Sequence, residues 1–430
     1  MENKNILSSD KERINIWLIG EGEPLPVDGR ERLMRLGMLA KYLSGQGHKV
    51  TWWSSTFIHG EKRYYCKSYK EIRINPKERL VLLHSPVAYK KNISLSRIVY
   101  HQKLATAFRK YSKRKTVPDL IFCAWPTSQF AREAVRYGKK NKVPVIIDIR
   151  DLWPDIFNRA FPDSLQWLAK IGLKPLQYAA AVTLRQATGI TGMVPYATSW
   201  GCRYAGRAVG KQDATIYIGN ERPGLSKEEQ EKNQSWWQDR GVSEETWNIC
   251  YFGTLSISVD LKTVIDAVKI LSQRYKDIRL VIGGEGDCKE ELVQQAQGSK
   301  HIIFAGWLNG QQMNSLMGIC RCGTYSYKNS EDFYNTFSNK GIQYLSGKLP
   351  ILNSLGGFAR TMLEENECGL TYKEGDIQDC ARQIERLYTD SALCKRMAEN
   401  AYELFEKKFE SNVVNRQFEQ YFYQILGGLE

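Results

Sequence analysis

Short apolar strands alternate with glycine-containing turns and amphipathic helices along most of this chain. Residues 14–19 predict a first strand, 20–30 a loop, about 30–46 a helix and 49–53 a second strand. The same order begins again at residue 248. Strand–helix–strand units build parallel sheets, which bind ligands at the carboxyl ends of their strands. The sequence therefore predicts an α/β protein with two doubly wound, Rossmann-like domains that face each other across a cleft.

The length of the chain agrees with this division, since 430 residues suit two domains. We expect the first domain at 1–220 and the second at 221–411. The polar stretch 220–246 is typical of a linker. The C-terminal helix, residues 412–430, is then available to pack back on the first domain.

Positive charge is concentrated in the first half of the chain. Residues 1–220 hold 37 lysines and arginines against 17 acidic residues, whereas the remainder is mildly acidic. Such an excess favours an anionic partner, which would be a nucleic acid, an anionic lipid surface or a phosphorylated substrate. Since no nucleic-acid-binding motif accompanies the charge, we expect no nucleic acid. The other interpretation is a surface that simply keeps the protein in solution.

The remaining composition indicates a cytoplasmic protein. No apolar run approaches the roughly 18 to 20 residues that a membrane span requires. The first residues place acids before a short apolar run and lack a cleavage site, so they do not predict a signal peptide. Ten cysteines are scattered without the spacing of a zinc site or a disulfide framework, which favours a reducing compartment.

One stretch, residues 337–353, joins a helix start to a lysine. Ser338 suits an N-cap, Gly347 a helix end, and residues 349–352 a buried strand. Lys340 falls in the first turn, where the helix dipole disfavours a cation unless an anion also sits there. We therefore hypothesise that this helix start cradles the diphosphate of a nucleotide sugar. The alternative is an ordinary surface turn.

Candidate functional residues follow the predicted strands of the first domain. The strand 144–149 opens into Arg150 and Asp151, which suits either an active site or an ion pair that holds the loop. His59 and His84 lie near strand ends, where each suits either proton transfer to a ligand or a structural role. Trp153 suits either stacking on a ligand or packing inward.

Several motifs together resemble glycosyltransferase family 4 of the GT-B fold, and within it the bacterial transferases of O-antigen and capsule assembly. The residues that carry the resemblance are Asp28-Gly29-Arg30, Gly47-His48-Lys49-Val50-Thr51-Trp52-Trp53-Ser54-Ser55, Asp148-Ile149-Arg150-Asp151-Leu152-Trp153-Pro154-Asp155, Tyr251-Phe252-Gly253, Gly283-Gly284-Glu285-Gly286, Phe304-Ala305-Gly306, Asn339-Lys340 and Gly347-Lys348-Leu349-Pro350. Their order and spacing cover nearly the whole chain.

The resemblance implies a retaining transfer of a hexosyl or N-acetylhexosaminyl group from a nucleotide sugar, by resemblance a UDP-sugar. The acceptor would be lipid-linked or a glycan, bound by the N-terminal domain, while the C-terminal domain would bind the donor. We expect a peripheral protein on the inner face of the cell membrane, whose basic half meets anionic headgroups. No Asp-x-Asp occurs in the sequence, so we expect neither a metal site nor a cofactor.

The resemblance also implies roles for individual residues. The catalytic candidates are Asp151, Arg150 and His84, and the acceptor candidates are Arg30, His59 and Trp153. The donor-binding candidates are Gly22, Gly253, Thr254, Gly284, Glu285, Gly306, Trp307, Ser338, Asn339, Lys340 and Gln343.

The chain departs from the family pattern at several positions. The family commonly carries two glutamates where this chain has Asn335 and Gln343, and the second usually binds ribose hydroxyls. An arginine and a lysine that contact phosphate are replaced by Thr254 and Asp260, and a histidine by Ala124-Trp125. These changes motivate an alternative, a catalytically silent scaffold subunit of a glycosyltransferase complex. A nucleotide-sugar epimerase on the same fold would need cleft carboxylates, of which the sequence gives no clear set.

Overall fold

The chain divides into two structural units, each built on one sheet. Unit 1 consists of Met1–Tyr217 with Val414–Glu430, and unit 2 of Ile218–Val413. The computed structural model describes residues 13–27, 32–91, 94–160, 166–222 and 224–427.

Unit 1 contains ten strands and five helices in its described part, before the chain enters unit 2. The strands are β1 (Asn15–Ile19), β2 (Lys49–Ser55), β3 (Phe57–Ile58), β4 (Arg63–Tyr64), β5 (Lys70–Arg73), β6 (Glu78–Leu83), β7 (Leu120–Trp125), β8 (Val145–Ile149), β9 (Gly189–Gly192) and β10 (Ala214–Thr215). The helices are α1 (Arg35–Gly45), α2 (Leu95–Ser112), α3 (Ser128–Asn141), α4 (Gln166–Arg185) and α5 (Pro195–Tyr204), with a 3-10 turn at Asp155–Ala160.

The main sheet of unit 1 runs in the order β10-β9-β8-β7-β1-β2-β6-β5. Within its described part every neighbouring pair is parallel except β5 and β6. Every residue of β7 and of β8 is buried, as expected for parallel strands covered by helices on both faces. The strand order reverses between β1 and β7, which defines the switch point of this sheet.

Unit 2 repeats the alternation with six strands in its described part. They are β11 (Trp247–Phe252), β12 (Ile278–Gly283), β13 (Ile302–Gly306), β14 (Cys320–Tyr325), β15 (Ile351–Asn353) and β16 (Gly369–Thr371). The helices are α6 (Lys227–Gln238), α7 (Leu261–Leu271), α8 (Lys289–Ala296), α9 (Gly310–Ile319), α10 (Glu331–Tyr334), α11 (Asn339–Ser346), α12 (Gly357–Glu365), α13 (Ile377–Thr389) and α14 (Ser391–Lys408).

The sheet of unit 2 is parallel throughout its described strands, in the order β13-β12-β11-β14-β15-β16. Its switch point lies between β11 and β14, at the centre of the sheet. The helix predicted after Ser338 is confirmed as α11, which ends before Gly347.

A buried carboxylate on β8 holds several elements of unit 1 in place. Asp148 accepts two hydrogen bonds from Arg35, from Nε and Nη2, each at 2.9 Å, and a third from the hydroxyl of Thr191 at 2.7 Å. Arg35 also donates to the carbonyl oxygens of Ile216 and Tyr217. Burial alone would raise the pKa of Asp148, but the nearby arginines outweigh it and hold that pKa well below its usual range.

The last helix, α15 (Ser411–Gly427), lies mostly in unit 1 and packs on its core. The ring of Phe418 lies 4.6 Å from the guanidinium carbon of Arg35. Glu419 lies 3.0 Å from Nε2 of His48 and accepts a bond from Tyr42 at 3.1 Å. None of the described helices combines the length and the apolar character needed to cross a bilayer.

Two predicted boundaries are wrong. The helix predicted from about residue 30 begins at Arg35, because the carboxylate of Glu23 accepts the N–H groups of Leu36 (2.9 Å) and Gly37 (3.4 Å) and so caps the helix from outside. The stretch 220–246 is not a plain linker, since α6 occupies its middle. The capping box of α6 starts at Ser226, which makes this a regular helix start.

The contacts of Asp148 predict a large loss of stability when its negative charge is removed. Replacing Asp148 by Asn leaves Arg35 buried beside a neutral group and should lower the free energy of unfolding by about 3–5 kcal/mol. Because the folded pKa of Asp148 is lowered, its contribution is present above the ordinary carboxyl pKa and is lost as pH falls toward the folded value. Urea denaturation tests this, with the exposed Asp239→Asn as matched control; equal midpoints for both variants would contradict it.

Candidate functional site

Glycine turns meet through their backbones at the switch point of unit 2. The N–H of Gly253 donates to the carbonyl of Gly283 (2.9 Å), and that of Gly284 to the carbonyl of Gly306 (2.6 Å). A Cβ atom on Gly284 would lie 1.9 Å from the carbonyl oxygen of Gly253, and the φ of Gly284 is +141°. Only glycine fits there, and the turns stay open for close approach of a ligand to the backbone.

Lys340 extends from the first turn of α11 to the same switch point. Its Nζ lies 3.7 Å from the ring centroid of Tyr251 and 4.8 Å from that of Tyr327. A Cβ atom on Gly253 would lie 2.9 Å from this Nζ, so the ammonium touches the turn after β11. Burial lowers the pKa of Lys340 to about 7, and no carboxylate among the described residues opposes that shift. The fold thus holds a lysine among aromatic rings, beside backbone N–H groups.

The start of α11 leaves backbone donors for a ligand. Ser338 occupies the N-cap position of α11, but its side chain makes no capping hydrogen bond. Its backbone N–H donates to the hydroxyl of the buried Tyr325 at 2.9 Å. The N–H groups of Asn339 and Lys340 belong to the first turn, where a helix supplies no acceptor of its own.

The other donor-binding candidates with side chains follow strands β11, β12 and β13 or lie in α11, and they differ in how exposed those side chains are. Thr254 is exposed, and Glu285 forms an ion pair with Lys289 at 2.8 Å. Trp307 follows β13 and is 73% exposed. Gln343 is half-buried, one turn further along α11. Of these side chains, Glu285 alone has a charge, and it is balanced within its own turn.

A buried carboxylate occupies the switch point of unit 1. Glu21 follows β1, and its side chain is 3% exposed. Its Oε1 lies 3.2 Å from Nε2 of His101 and 3.5 Å from the hydroxyl of Thr127, which follows β7, while Tyr100 donates to Oε2 at 3.4 Å. Burial would raise the pKa of Glu21, but His101 and then Arg97 outweigh it and lower that pKa, so the carboxylate stays ionised.

Two cations and two aromatic rings lie beside Glu21. The guanidinium carbon of Arg97 is 4.6 Å from the ring centroid of Trp153 and 5.4 Å from that of Tyr89. Nζ of Lys62 is 4.8 Å from the same Tyr89 ring and 3.3 Å from Nδ1 of His59. The Tyr89 hydroxyl also contacts this Nδ1, at 2.6 Å, and burial followed by Lys62 lowers the pKa of His59. His59 and Trp153, both acceptor candidates, are thus brought together around Arg97 and Lys62.

The catalytic candidates Arg150 and Asp151 have different surroundings. Arg150 donates to Asp148 at 2.9 Å and pairs with Glu23, so its charge is used to hold the loops after β8 and β1. Asp151 reaches the surface. Desolvation by the neighbouring protein raises the pKa of Asp151, against the opposing effects of Arg150 and Arg97.

Three candidates remain, His84, Gly22 and Arg30. His84 follows β6 and its Nδ1 lies 3.0 Å from the hydroxyl of Thr56; burial lowers the pKa of His84. Gly22 belongs to unit 1 rather than to the donor unit, where a Cβ atom on it would be 3.9 Å from His59. Arg30 lies outside the described residues.

Sequence reasoning missed the partners that come from distant segments. Tyr251 and Tyr327 hold Lys340 only because β11 and β14 are neighbours. Glu21 and His101 are eighty positions apart, and the one available signal was an acid between two glycines directly after the first strand. A rule that inspects both strands of each switch point would have found Glu21.

Comparisons with known proteins agree with this architecture. Residues 233–404 match the family model described as "Glycosyl transferases group 1", so this domain falls within unit 2. A curated protein named "Putative glycosyltransferase EpsD", from Bacillus subtilis (strain 168), is 21% identical over 187 residues, 43% of this chain and 47% of that protein. The matching region therefore spans about half the length of this relative.

Solved structures are similar over almost the whole chain. Sucrose-phosphate synthase from Thermosynechococcus elongatus aligns with a TM-score of 0.71 at 17% identity, covering 97% of this chain and 100% of that one. HepE of Anabaena in complex with UDP-glucose aligns with a TM-score of 0.61 at 15% identity, covering 96% of this chain and 100% of that one. A structure titled trehalose-6-phosphate from E. coli, bound with UDP-2-fluoro glucose, aligns with a TM-score of 0.66 at 12% identity. It covers 95% of this chain and 99% of that one. At these identities the likeness shows the fold, and the predicted GT-B fold is confirmed.

Because the turns at Gly253 and Gly284 are in contact, we expect any side chain at position 284 to destabilise the protein. Gly284→Ala should destabilise the protein by about 2 kcal/mol or more, since alanine needs both an unfavourable φ and a displaced carbonyl. Gly318→Ala, in α9 with no atom within 4 Å of the new methyl, should instead be neutral or stabilising by up to about 1 kcal/mol. Urea denaturation of both variants measures the difference. A wild-type midpoint for Gly284→Ala would refute the close packing of the turns.

Proposed function

We propose that this protein is a retaining, metal-independent glycosyltransferase that uses a nucleotide sugar, a UDP-sugar, as donor. The acceptor is lipid-linked or a glycan in the synthesis of a cell-surface polysaccharide, and the transferred group is a hexosyl or N-acetylhexosaminyl sugar. One observation carries the proposal: a lysine ammonium stands at the switch point of the group 1 domain, next to a glycine turn and the start of a helix.

The chemistry of a diphosphate explains these features together. A diphosphate offers two negative charges and many acceptor oxygens, which match an ammonium and free N–H groups at a helix start. Burial makes the charged form of Lys340 costly without an anion. A bound diphosphate removes that cost, and the lysine then offsets negative charge that grows on the leaving group during transfer.

Lys340 also accounts for the missing family cations. Asp260, where a phosphate-binding lysine is expected, is buried, receives bonds from Thr263 (2.7 Å) and from the N–H of Gly375 (3.2 Å), and has a pKa raised by burial. It therefore serves the packing of the domain. Lys340 comes from a different element but ends at the turn that follows β11, so it supplies a cation where the chain lacks the usual pair.

The comparisons support the choice of donor and the broad activity. Two of the similar structures have titles that name UDP-glucose or UDP-2-fluoro glucose as bound molecules. The curated relative is named as a putative glycosyltransferase. No step of the proposed mechanism uses a metal, because the residues at the switch point offer donors and a cation rather than a set of carboxylates.

The acceptor and the membrane role rest on unit 1. Its basic composition, 37 lysines and arginines against 17 acids over residues 1–220, suits an anionic membrane surface and a charged acceptor. We propose that unit 1 binds the acceptor and that the protein works at the cytoplasmic face of the membrane, as a peripheral protein.

A catalytically silent scaffold is the second candidate. Asn335 and Gln343 motivate it, since amides stand where the resembled family has carboxylates. An amide oxygen can still accept a bond from a ribose hydroxyl, but without the added strength of a negative charge.

Release of nucleoside diphosphate separates the two candidates. The protein is incubated with a panel of nucleotide sugars and with a polyprenyl-diphosphate sugar, and free nucleoside diphosphate is measured. Acceptor-dependent release supports the transferase. Tight donor binding without release, under every acceptor tried, supports the scaffold.

Removal of the ammonium predicts weaker donor binding. Lys340→Ala should bind UDP-glucose about tenfold to hundredfold less tightly, because a hydrogen bond to a charged group typically contributes that much binding free energy. Lys300→Ala, an exposed lysine that precedes β13, removes the same charge elsewhere in unit 2 and should bind as wild type does. Isothermal titration calorimetry measures both, and equal affinities for the two variants would reject the phosphate-binding role of Lys340.

The lowered pKa of Lys340 predicts a pH dependence of donor binding. With a pKa of about 7 in the free protein, the ammonium loses its proton as pH rises through neutrality, so affinity for UDP-glucose should fall between about pH 6 and about pH 8.5. The bound diphosphate raises the pKa, so a proton should be taken up on binding. Titrations in buffers of different ionisation enthalpy measure that uptake, and Lys340→Arg should abolish it; equal uptake in the variant would contradict the assignment.

A further inference from the structure

We propose that the groove between the last turns of α2 and α3 is a second ligand site of unit 1, for a ligand that carries phosphate groups. The site is formed by described residues of unit 1 alone and does not rest on the proposed function. It lies at a different edge of the sheet from the switch point.

The position of the groove separates it from Glu21 and its neighbours. The helices α2 and α3 end at Ser112 and Asn141, shortly before β7 begins at Leu120 and β8 at Val145. The groove therefore lies near the amino ends of these strands, whereas Glu21 follows the carboxyl end of β1. Its volume is about 650 Å³, within the usual range of small-molecule sites. A ligand in the groove leaves the carboxyl edge of the sheet open.

The lining of the groove is strongly basic. Among the described residues that line it, five are cations and one is an acid, namely Arg109, Lys113, Lys115, Arg136 and Lys140 against Glu133. A second carboxylate, that of Glu71, pairs with Lys115 from outside the groove. A positive excess remains after both carboxylates are taken into account, so the groove attracts anions.

One buried carboxylate holds two of these cations in place. Glu133 is 4% exposed, and it accepts hydrogen bonds from Nε and Nη2 of Arg109, each at 2.7 Å, and from Nη1 of Arg136 at 2.8 Å. Burial would raise the pKa of Glu133, but Arg109 and then Arg136 outweigh it and lower that pKa. Both arginine side chains are more than half exposed. Two guanidinium groups are thus oriented before a ligand arrives, which reduces the entropy lost on binding.

Neutralisation of the helix dipoles accounts for only part of this charge. Cations near the carboxyl end of a helix offset its dipole, and Arg109, Lys113 and Lys140 suit that role. The role does not account for Lys115, which lies beyond the end of α2, or for Arg136, which precedes the last turn of α3. It also gives no reason for the cations of both helices to line one groove.

The arrangement of the cations favours phosphate groups. They come from two helices and the segment after α2, so they match a ligand with several charges better than a single carboxylate. Phosphate oxygens accept hydrogen bonds from the fork of a guanidinium and from an ammonium alike. Burial raises the pKa of Tyr137, which also lines the groove, so its hydroxyl stays protonated. Two sources carry this chemistry, the headgroup of an anionic phospholipid and a soluble phosphate ester.

Binding measurements on matched variants test the site. The probes are fructose 1,6-bisphosphate and vesicles of phosphatidylcholine with or without phosphatidylglycerol, added to full-length protein that is saturated with UDP. The double variant Lys113→Ala with Lys140→Ala should weaken binding about tenfold or more. Arg136→Gln, which leaves Glu133 bonded to Arg109, should act in the same direction.

A control variant removes the same charge elsewhere in unit 1. Lys41→Ala with Lys211→Ala replaces two exposed lysines outside the groove and should bind both probes as wild type does. Circular dichroism of each variant checks that it is folded.

The outcomes distinguish the two sources and the two proposals. Weaker binding of the bisphosphate in the groove variants supports a soluble ligand, and weaker phosphatidylglycerol-dependent binding of vesicles supports a headgroup. The site is overturned if neither probe binds the wild-type protein, or if the groove variants and the control bind equally well. UDP-glucose affinity is measured on the same proteins and should be unchanged in every variant. Absence of the groove site leaves the proposed function standing, and failure of UDP-glucose to bind leaves the groove site standing.

Discussion

The buried carboxylate of Asp148 is the interaction on which unit 1 depends. Through Arg35 it connects β8 to the start of α1, to the carbonyls of Ile216 and Tyr217 and to the ring of Phe418 in α15. Through Arg150 and Glu23 it fixes the loop that follows β1. A charge removed from water is tolerated only when such partners are themselves held in place. The cluster therefore makes the carboxyl edge of the sheet rigid, and that edge carries Glu21 and its neighbours.

The two units use the same topology for different charges. Each sheet reverses its strand order once, and each reversal gathers charged side chains: Lys340 in unit 2, and the buried Glu21 beside His101 in unit 1. In unit 2 an anion would lower the free energy of the site, because burial disfavours the charged form of Lys340. A phosphorylated donor provides that anion, whereas the carboxylate of unit 1 already has its partners within the same unit.

Local patterns predicted the fold because each element is specified over a few residues. Apolar strands, helical periodicity and glycine turns were sufficient for the two α/β units, and the dipole argument singled out Lys340 from its own helix. The wrong boundaries arose where a distant group decides the outcome: Glu23 caps α1 from outside the helix, and the start of α6 depends on a capping box inside a polar stretch. The aromatic partners of Lys340 and the pairing of Glu21 with His101 follow from strand adjacency, which a local pattern does not contain.

The proposed function requires that the start of α11 binds the diphosphate of a nucleotide sugar. A crystal structure of the protein with UDP-glucose tests this requirement. We expect diphosphate oxygens within hydrogen-bonding distance of Nζ of Lys340 and of the first N–H groups of α11, beside the turn at Gly253. A diphosphate bound elsewhere, with the ammonium still against Tyr251 and Tyr327 and no phosphate oxygen near it, would contradict the proposed role of Lys340.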